Sequence, residues 1–273
     1  MQIYADWHTH SFYSDGNMTP EELVAAAARR GLEEVAITDH GPGGMFIGVK
    51  SAGVYLDLKK QAAYLAEKYA LRVLVGAEAN VINLAGDLDI PAAVAAELDL
   101  LAAGLHPQVW CRPMQQTLTW ILPNRLGRYA GWVRKMMRAA NTRALAAAIY
   151  RHKLTFVSHP GLLMDVDMDE LARVCADRNC AMEVNSGHAY NRDRVIRAAL
   201  KWGAPLVVNS DAHFPERVGK VAEGLALLKK HQVAPDRVLN ARKGEAEAPL
   251  GHLPGVNGPV RLPLSKVNAK VKI

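Results

Sequence analysis

The sequence predicts an α/β fold in which parallel strands alternate with helices, either as a barrel or as a doubly wound sheet. Seven short β-prone runs are separated by amphipathic segments, and such alternation is typical of βαβ units. Half of the 273 residues are hydrophobic, so the chain can bury a sizeable core. The seven runs are, in chain order, 3–7, 34–38, 72–76, 98–104, 154–158, 180–185 and 204–209.

The helices are predicted from the amphipathic segments between these runs. The first covers 20–31, with Thr19 as its N-cap, Pro20 at the first helical position and Gly31 at the C-terminal stop. The stretch from about 131 to 152 is expected to pack as the fourth barrel helix. The other helical segments are 56–70, 168–179 and 194–203.

The composition also indicates where the protein works. The chain opens without a charged and apolar leader and has no apolar run of roughly 18 residues, which predicts neither a signal peptide nor a membrane span. Its three cysteines, Cys111, Cys175 and Cys180, lack C-x-x-C spacing and favour reduced thiols. We therefore expect a cytoplasmic protein with no membrane partner.

The last part of the chain, from 243 to 273, differs in character because it is rich in Pro and Gly. Proline interrupts regular backbone hydrogen bonding. We therefore expect a single barrel domain at 1–242 followed by an extended tail.

The net charge of +6 is unevenly distributed. The segment from 107 to 153 contains nine basic residues and no Asp or Glu. Such a segment is typical of a solvated helix face or of a surface for an anionic ligand, and aromatic residues among the cations can stack on a ring. We expect a basic lid at about 107–150. The basic residues are Arg112, Arg125, Arg128, Arg134, Lys135, Arg138, Arg143, Arg151 and Lys153, and the aromatic ones include Trp110, Trp120, Tyr129 and Trp132.

Candidate metal ligands stand at the ends of six of the seven predicted strands. In a parallel barrel all strand C-termini open on one face, where catalytic groups collect. Residues i and i+2 of a strand point to the same side, so the H-x-H and D-x-H pairs at the two ends of the chain should turn toward a common centre. Nine side chains predict this metal site: His8, His10, Asp15, His40, Glu78, His106, His159, Asp211 and His213.

These residues fall in motifs that resemble the PHP (polymerase and histidinol phosphatase) domain family over roughly 1–240. The motifs are H-x-H-x-x-x-S-D-G at 8–16, T-D-H at 38–40, G-x-E at 76–78, His106, S-H-P at 158–160 and S-D-A-H at 210–213. The resemblance implies a distorted (β/α)7 TIM-like barrel that holds two or three divalent metal ions per chain.

The resemblance also implies a division of the ligands among three ions. His8, His10, Glu78 and Asp211 would hold the first ion, and Glu78 would bridge to a second ion bound by His106 and His159. Asp15, His40 and His213 would hold the third. A mixed imidazole and carboxylate set suits Zn²⁺, Mn²⁺ or Fe²⁺, whereas Mg²⁺ and Ca²⁺ prefer oxygen ligands.

The activity implied is phosphate-ester hydrolysis, with Glu78, Asp211 and His213 as the catalytic residues. Two metals about 3.5–4 Å apart clamp a phosphate and lower the pKa of a bridging water toward ~7, which gives a metal-bound hydroxide nucleophile. We expect a stand-alone phosphatase that acts on a phosphomonoester such as histidinol phosphate or a nucleotide.

Three alternatives remain open. The first is a phosphodiesterase or exonuclease acting on diesters or nucleic-acid ends. The second is an amidohydrolase that cleaves C–N bonds, although such enzymes typically use a bridging carboxylated lysine where Glu78 stands here. The third is a non-catalytic metal-dependent scaffold, which the full ligand set disfavours.

Substrate contacts are predicted from the basic segment and from the end of the sixth strand. Arg112, Arg125 and Arg128 could pair with phosphate oxygens. Asn185 ends the predicted strand 180–185, and His188 follows it. The expected partner is a small phosphorylated substrate, with nucleic acid only as a substrate; the sequence leaves the oligomeric state open. The Gly-rich segment 41–51 does not fit the P-loop template and suggests a mobile flap beside the metals.

Overall fold

Seven parallel strands lie side by side in chain order in the computed structural model, which describes residues 1–127 and 129–244. They form a nearly closed barrel. These strands are β2 (Ala5–Asp6), β3 (Glu34–Ile37), β4 (Arg72–Asn80), β5 (Leu100–Gly104), β6 (Phe156–Val157), β7 (Ala181–Asn185) and β8 (Leu206–Asn209). A separate antiparallel pair joins β1 (Gln2–Ile3) to β9 (Ala241–Arg242). The predicted barrel is confirmed. Six of the seven predicted runs contain a barrel strand, and the run 72–76 covers the first part of β4, which continues to Asn80.

Helices surround the barrel. They are α1 (Pro20–Arg29), α2 (Gly53–Tyr69), α3 (Ala92–Ala95), α4 (Leu122–Gly127), α5 (Gly131–Arg151), α6 (Met168–Arg178), α7 (Arg192–Trp202) and α8 (Ala222–Lys230), with a π-helical turn at Thr117–Ile121 and a 3₁₀ turn at Pro235–Arg237. The start of α1 agrees with the prediction, since the Thr19 hydroxyl accepts from the Glu22 N–H while the Glu22 carboxylate accepts from the Thr19 N–H. No described helix has the length and apolarity needed to span a bilayer.

Alternate residues of the strands face the barrel interior, and their character changes along each strand. The interior is apolar near the strand N-termini, where Ala36, Leu100, Ala102, Phe156, Ala181 and Val207 pack together. Residues two positions further on are polar: Glu183 follows Ala181, and Asn209 follows Val207. Side chains two residues apart on a strand share a face. The inward-facing positions therefore form an apolar core near the strand N-termini and line a polar site near the strand C-termini.

Side chains close the gap between the first and last barrel strands. The Asn240 amide accepts from the Val208 N–H at 3.0 Å and donates to the Ala5 carbonyl at 2.9 Å and to the Val208 carbonyl at 2.6 Å. The Asn209 Oδ1 accepts from the Trp7 N–H. Asn240 is fully buried, and these bonds join β2 to β8 in addition to a backbone bridge between Thr9 and Ala212.

The basic segment contains the π-helical turn, α4 and α5, and α5 packs against the neighbouring helix α6. Its helix α5 matches the stretch predicted at 131–152. A buried amide pair ties α4 to α5, because Asn124 and Asn141 hydrogen bond to each other and Asn141 also accepts from the Trp120 indole. Arg128 and the predicted tail beyond Gly244 lie outside the described residues.

The segment suggested as a mobile flap is anchored through its backbone. The Trp110 N–H donates to the Gly43 carbonyl, and the Met45 N–H donates to the Gln108 carbonyl. Gly44 and Val109 form an antiparallel bridge. The segment 41–51 is therefore joined to the start of the basic segment.

The seam yields a test of barrel closure. Replacing Asn240 by Ala leaves the buried Val208 N–H and Ala5 carbonyl without their partner, and each stranded group costs about 1–3 kcal/mol. We expect Asn240→Ala to lower the free energy of unfolding by about 2–4 kcal/mol, measured by urea denaturation. The exposed Asn17 supplies a matched control, Asn17→Ala, which should change it by less than about 0.5 kcal/mol. Equal effects of the two substitutions would contradict the role of Asn240.

Candidate metal centre

The two histidine-containing motifs at the ends of the chain meet across the barrel seam. Thr9 and Ala212 form a parallel bridge, with His8 and His10 flanking the first and Asp211 and His213 flanking the second. The Thr9 side chain is buried and donates to the Ala36 carbonyl, which holds the first motif against β3. This register places both pairs at one centre.

Glu78 lies in the middle of this centre and is fully buried. Its carboxylate faces five imidazoles within 4 Å, with three on Oε2 and two on Oε1. The Oε2 distances are 3.3 Å to His8, 3.7 Å to His10 and 2.9 Å to His40, and the Oε1 distances are 3.2 Å to His106 and 2.9 Å to His159. This two-sided arrangement fits a carboxylate that bridges two ions.

Asp211 and Asp15 complete the cluster. Asp211 Oδ1 lies 3.4 Å from His10 Nε2 and 3.6 Å from His8 Nε2. Asp15 lies 3.5 Å from His213 and 3.8 Å from His40. Four sets of side chains have ligand atoms within 4.8 Å of one another: His10, Asp15, His40 and His213; His8, His159 and Asp211; His8, His10 and Glu78; and His40, Glu78 and His106.

These sets bring all nine predicted side chains together. They share more members than the three ligand groups implied by the family resemblance, in which only Glu78 serves two ions. His8, His10, His40 and Glu78 each belong to two sets. The His10 ring stacks between the rings of His40 and His213, with centroids 4.5 and 4.4 Å away. The assignment of each ligand to one ion therefore stays a prediction.

The cluster has the unfilled hydrogen-bonding capacity expected of metal ligands. Seven of its buried atoms have no hydrogen-bond partner among the described residues: His8 Nε2, both ring nitrogens of His10, Asp15 Oδ1, His40 Nδ1 and both carboxylate oxygens of Glu78. Buried polar atoms are rarely left unpaired, because each costs about 1–3 kcal/mol. Divalent cations would satisfy them, and the mixed nitrogen and oxygen donors suit Zn²⁺, Mn²⁺ or Fe²⁺.

The electrostatics of the cluster hold its carboxylates in the ionised form that binds metal ions. In spite of burial, the same carboxylates raise the pKa values of His8, His40 and His159, so these rings would release protons when a metal ion binds. Burial raises the pKa of Glu78, but the imidazoles around it, His8 foremost, outweigh this effect and hold that pKa well below its usual range. Burial is likewise outweighed at Asp211, whose pKa is held well below normal by His8 and His10. Burial and the charge of His40 lower the pKa of His10 to about 3. Ionised carboxylates and neutral imidazoles are the forms that coordinate metal ions.

Two of the nine side chains stand on strained backbone. His159 has φ of 25° and Asp211 has φ of 53°, values that non-glycine residues seldom adopt. Each lies two residues after the end of a barrel strand, where a left-handed residue turns the chain sharply. Strain of this kind collects at functional sites because the surrounding structure maintains it.

A buried carboxylate, Glu183, supports the centre from behind. Its Oε1 accepts from the His8 Nδ1 at 2.7 Å, and its Oε2 accepts from the His159 N–H at 2.7 Å. Asn185 and Asn209 also donate to it. The bond to Nδ1 leaves the His8 Nε2 lone pair facing Glu78 and Asp211.

Two further carboxylates fix the loops that carry ligands, and the sequence analysis did not assign them. Asp39 accepts from the N–H and hydroxyl of Ser11 and from the Ser14 hydroxyl, which shapes the turn leading to Asp15. Asp6 accepts from the N–H and hydroxyl of Ser210. The sequence signal that could have identified them is an acidic residue at the end of an otherwise apolar strand, such as Asp39 in T-D-H.

A family model described as PHP domain matches residues 6–160, more than half of the chain, and one described as PHP-associated matches residues 189–225. The chain belongs to the PHP domain family. The two matched segments contain all nine clustered side chains, so the resemblance expected from the motifs is confirmed.

Relatives of this PHP protein are named as phosphatases. A probable phosphatase from Caldicellulosiruptor saccharolyticus is 26% identical over 249 residues, covering 88% of this chain and 92% of the relative. A probable phosphatase from Edwardsiella ictaluri is 28% identical over 246 residues, covering 86% and 89%. With the metal-ligand cluster and the family match, these relatives support the predicted enzyme class, a metal-dependent phosphoester hydrolase.

A solved structure shares the fold. Histidinol phosphate phosphatase from Lactococcus lactis subsp. lactis, complexed with zinc, L-histidinol and phosphate, superposes with a TM-score of 0.57 at 15% sequence identity. The alignment covers 84% of this chain and 93% of that one. It supports the TIM-like barrel assigned to this PHP protein.

The predicted substrate contacts fall in different places around the PHP centre. Asn185 is buried and donates to Glu183 and Asp211, both at 3.0 Å. The half-exposed His188 lies 3.3 Å from Asp211 Oδ2. Arg125 reaches the loop after His106, where its Nε donates to the Pro107 carbonyl at 2.7 Å.

Arg112 is placed differently from Arg125. It lines a cavity of about 470 Å³ together with Asp89 and Trp110. Its backbone N–H donates to the Ile82 carbonyl. This cavity is lined by neither Arg125 nor any of the nine clustered side chains, so its connection to phosphate stays a prediction.

The contact between Glu183 and His8 predicts the effect of an isosteric change. Gln in place of Glu183 would turn an NH2 group toward two of the four donors that the carboxylate now accepts from, and His8 would lose its orientation. Substitution of a residue that hydrogen bonds to a metal ligand typically weakens metal binding about 10- to 100-fold. We expect this loss in Glu183→Gln when Zn²⁺ affinity is measured by chelator competition.

Glu67 on α2 is exposed and supplies the matched control, Glu67→Gln. This variant should retain the wild-type affinity. Wild-type zinc affinity in Glu183→Gln, in a protein with an unchanged circular dichroism spectrum, would show that Glu183 does not orient His8.

Proposed function

We propose that this PHP protein is a phosphatase that hydrolyses a small phosphomonoester with the help of two or three divalent metal ions. The observation that carries the proposal is the buried Glu78 carboxylate, which has five imidazoles around it and no hydrogen-bond partner within 1–127 and 129–244. Glu78, Asp211 and His213 are the residues on which we expect catalysis to depend, since they belong to the proposed ligand sets.

The nine clustered side chains would hold the ions. The bound metals would supply Lewis-acid neutralisation of the phosphate charge and a water of lowered pKa. The protein's own contribution is to keep the carboxylates ionised, to fix the rings through Glu183 and Asp39, and to seat the ester. Asn185 is occupied by Glu183 and Asp211, so we expect it to orient Asp211 rather than contact the substrate.

A cavity beside the centre has the size and chemistry for a small leaving group. It has a volume of about 340 Å³ and is lined in part by Pro107, which follows His106, and by Leu163, which lies in the turn after His159. Arg125, Asn124 and Tyr129 form its other side. A pocket of this volume lies at the lower end of the range for small-molecule sites, which favours a metabolite-sized ester over a polymer.

The amidohydrolase alternative is weaker on this geometry. Within 4 Å of the Glu78 carboxylate, the described residues contribute imidazoles only, and no lysine. A diesterase acting on nucleic-acid ends is favoured by one observation, the exposed aromatic residues Trp110, Tyr129 and Trp132 in the basic segment, because bases stack on such rings. It is the second candidate.

A comparison of substrates tests the proposed function. We expect the Mn²⁺-loaded protein to show a higher kcat/KM for histidinol phosphate or a nucleoside monophosphate than for a phosphodiester or a short oligonucleotide. Chelation should abolish this hydrolysis, and Asp211→Ala should lose both bound metal and activity. A preference for the oligonucleotide would replace the phosphatase by the diesterase, and a metal-replete protein inactive on every ester would contradict both.

Substitution of Arg125 tests the leaving-group cavity. A charged hydrogen bond contributes about 1.5–3 kcal/mol, so Arg125→Gln should raise KM for the preferred monoester about 10- to 100-fold while kcat changes much less. Arg143 of α5 is exposed and does not line this cavity, and Arg143→Gln should leave KM unchanged. Steady-state kinetics of both variants test whether Arg125 contacts the substrate. An unchanged KM in Arg125→Gln would show that it does not.

A further inference from the structure

Asp89 lies beside the metal centre although neither the sequence motifs nor the proposed ligand sets include it. Strand β4 ends at Asn80, and the chain then turns back on itself through an antiparallel bridge between Val81 and Leu88. This return brings Asp89 next to Asn80. The Asp89 N–H donates to the Asn80 carbonyl at 3.2 Å, and the Asn80 N–H donates to Asp89 Oδ1 at 2.8 Å.

The side-chain amide of Asn80 is fixed in one orientation. Its Nδ2 donates to Asp89 Oδ2 at 2.6 Å and to the Gly41 carbonyl at 3.3 Å. Both of these partners are acceptors, so the amide cannot turn over without facing its oxygen toward them. Asn80 is fully buried, and water is therefore not available to replace the lost bonds.

The fixed amide determines the tautomer of a proposed ligand. Asn80 Oδ1 lies 2.7 Å from His106 Nδ1, and because the oxygen can only accept, Nδ1 must carry the proton. The other nitrogen, Nε2, then presents its lone pair 3.2 Å from Glu78 Oε1. This is the arrangement by which outer partners orient histidine ligands.

Asp89 also holds the chain that follows His40. The Gly43 N–H donates to Asp89 Oδ2 at 2.8 Å. A Cβ atom on Gly41 would lie between 2.2 and 2.4 Å from the Asp89 carboxylate, so no larger residue fits there unless Asp89 moves. The glycines at the start of 41–51, which match no phosphate-binding template, are explained by this close approach.

We propose that Asp89 is a positioning residue of the metal centre, which acts through Asn80 to set the tautomer of His106 and through Gly41 and Gly43 to place His40. The inference rests on the proposed metal centre. A purely structural role, in which Asp89 only caps the turn after β4, would change stability but neither the tautomer of His106 nor the affinity for one particular ion.

The substitution Asp89→Asn separates these roles. It keeps the shape of the side chain but removes its charge, and in either orientation its NH2 group faces a donor of Asn80, either the backbone N–H or the side-chain amide. We expect the histidine nitrogen shifts in NMR spectra of the metal-free protein to show His106 losing the Nδ1–H form. In chelator competition with Zn²⁺ as the probe, one of the bound ions should bind about 10- to 100-fold more weakly and the remainder as in the wild type.

Two further variants complete the experiment. Asp99 also accepts a backbone N–H of β4, from Val75 at 2.8 Å, but at the opposite end of the strand, so Asp99→Asn is the matched control and should alter stability only. In an Asn80→Ala background, Asp89→Asn should have little additional effect on the His106 tautomer, because its route to the ring is already removed.

The possible results are distinct. Wild-type His106 signals and wild-type affinity for every ion in Asp89→Asn would overturn the inference while leaving the proposed phosphatase intact. Equal weakening of all ions in both Asp89→Asn and Asp99→Asn would also overturn it, since general destabilisation would then be the cause. A wild-type protein that binds no zinc would overturn the proposed function and this inference together.

Discussion

Burial of the Glu78 carboxylate among five imidazoles is the constraint on which the rest of the site depends. An ionised carboxylate in a protein interior is costly unless cations or hydrogen bonds compensate it. Here the described residues give its oxygens no hydrogen-bond donor, and the imidazoles around it can compensate its charge only while they are protonated. Positive charge is therefore needed at the centre, and divalent ions would supply it once the rings have released their protons to become ligands. This requirement is the physical reason for inferring metal ions.

The charge of Glu78 would not be compensated if the imidazole rings around it could turn. Carboxylates outside the nine candidate ligands, which form an outer layer, prevent this. Glu183 holds His8, Asp39 shapes the turn that carries Asp15, and Asp6 anchors the residue before Asp211. Each of these acids accepts from at least two donors, so its own charge is satisfied without a cation. The layer thus separates two tasks: the outer carboxylates fix geometry, and the inner ones remain open toward the ions.

The fold and the nine candidate ligands could be predicted from the sequence because both depend on local patterns. Strand ends marked by His, Asp or Glu identify one face of a parallel barrel without any knowledge of distances. The outer layer was harder, since Asp89 reaches His106 only through a turn of the chain after β4. Helix α8 was also missed, because Gly224 lowers helix propensity; the structure requires that glycine, as a Cβ there would lie 2.7 Å from Val208 Cγ1.

If the protein has the proposed function, substrate choice would depend on a different part of the chain from the chemistry. The inner ligands are set by the barrel register, in which Thr9 faces Ala212, and little can vary there without loss of the centre. The cavity next to it is built from loop residues and from α4, which is held to α5 by the pair Asn124 and Asn141. Changes in that segment can alter the leaving group without disturbing a single ligand. For this reason the motifs identify the reaction class, whereas the identity of the ester has to be sought in the residues around Arg125.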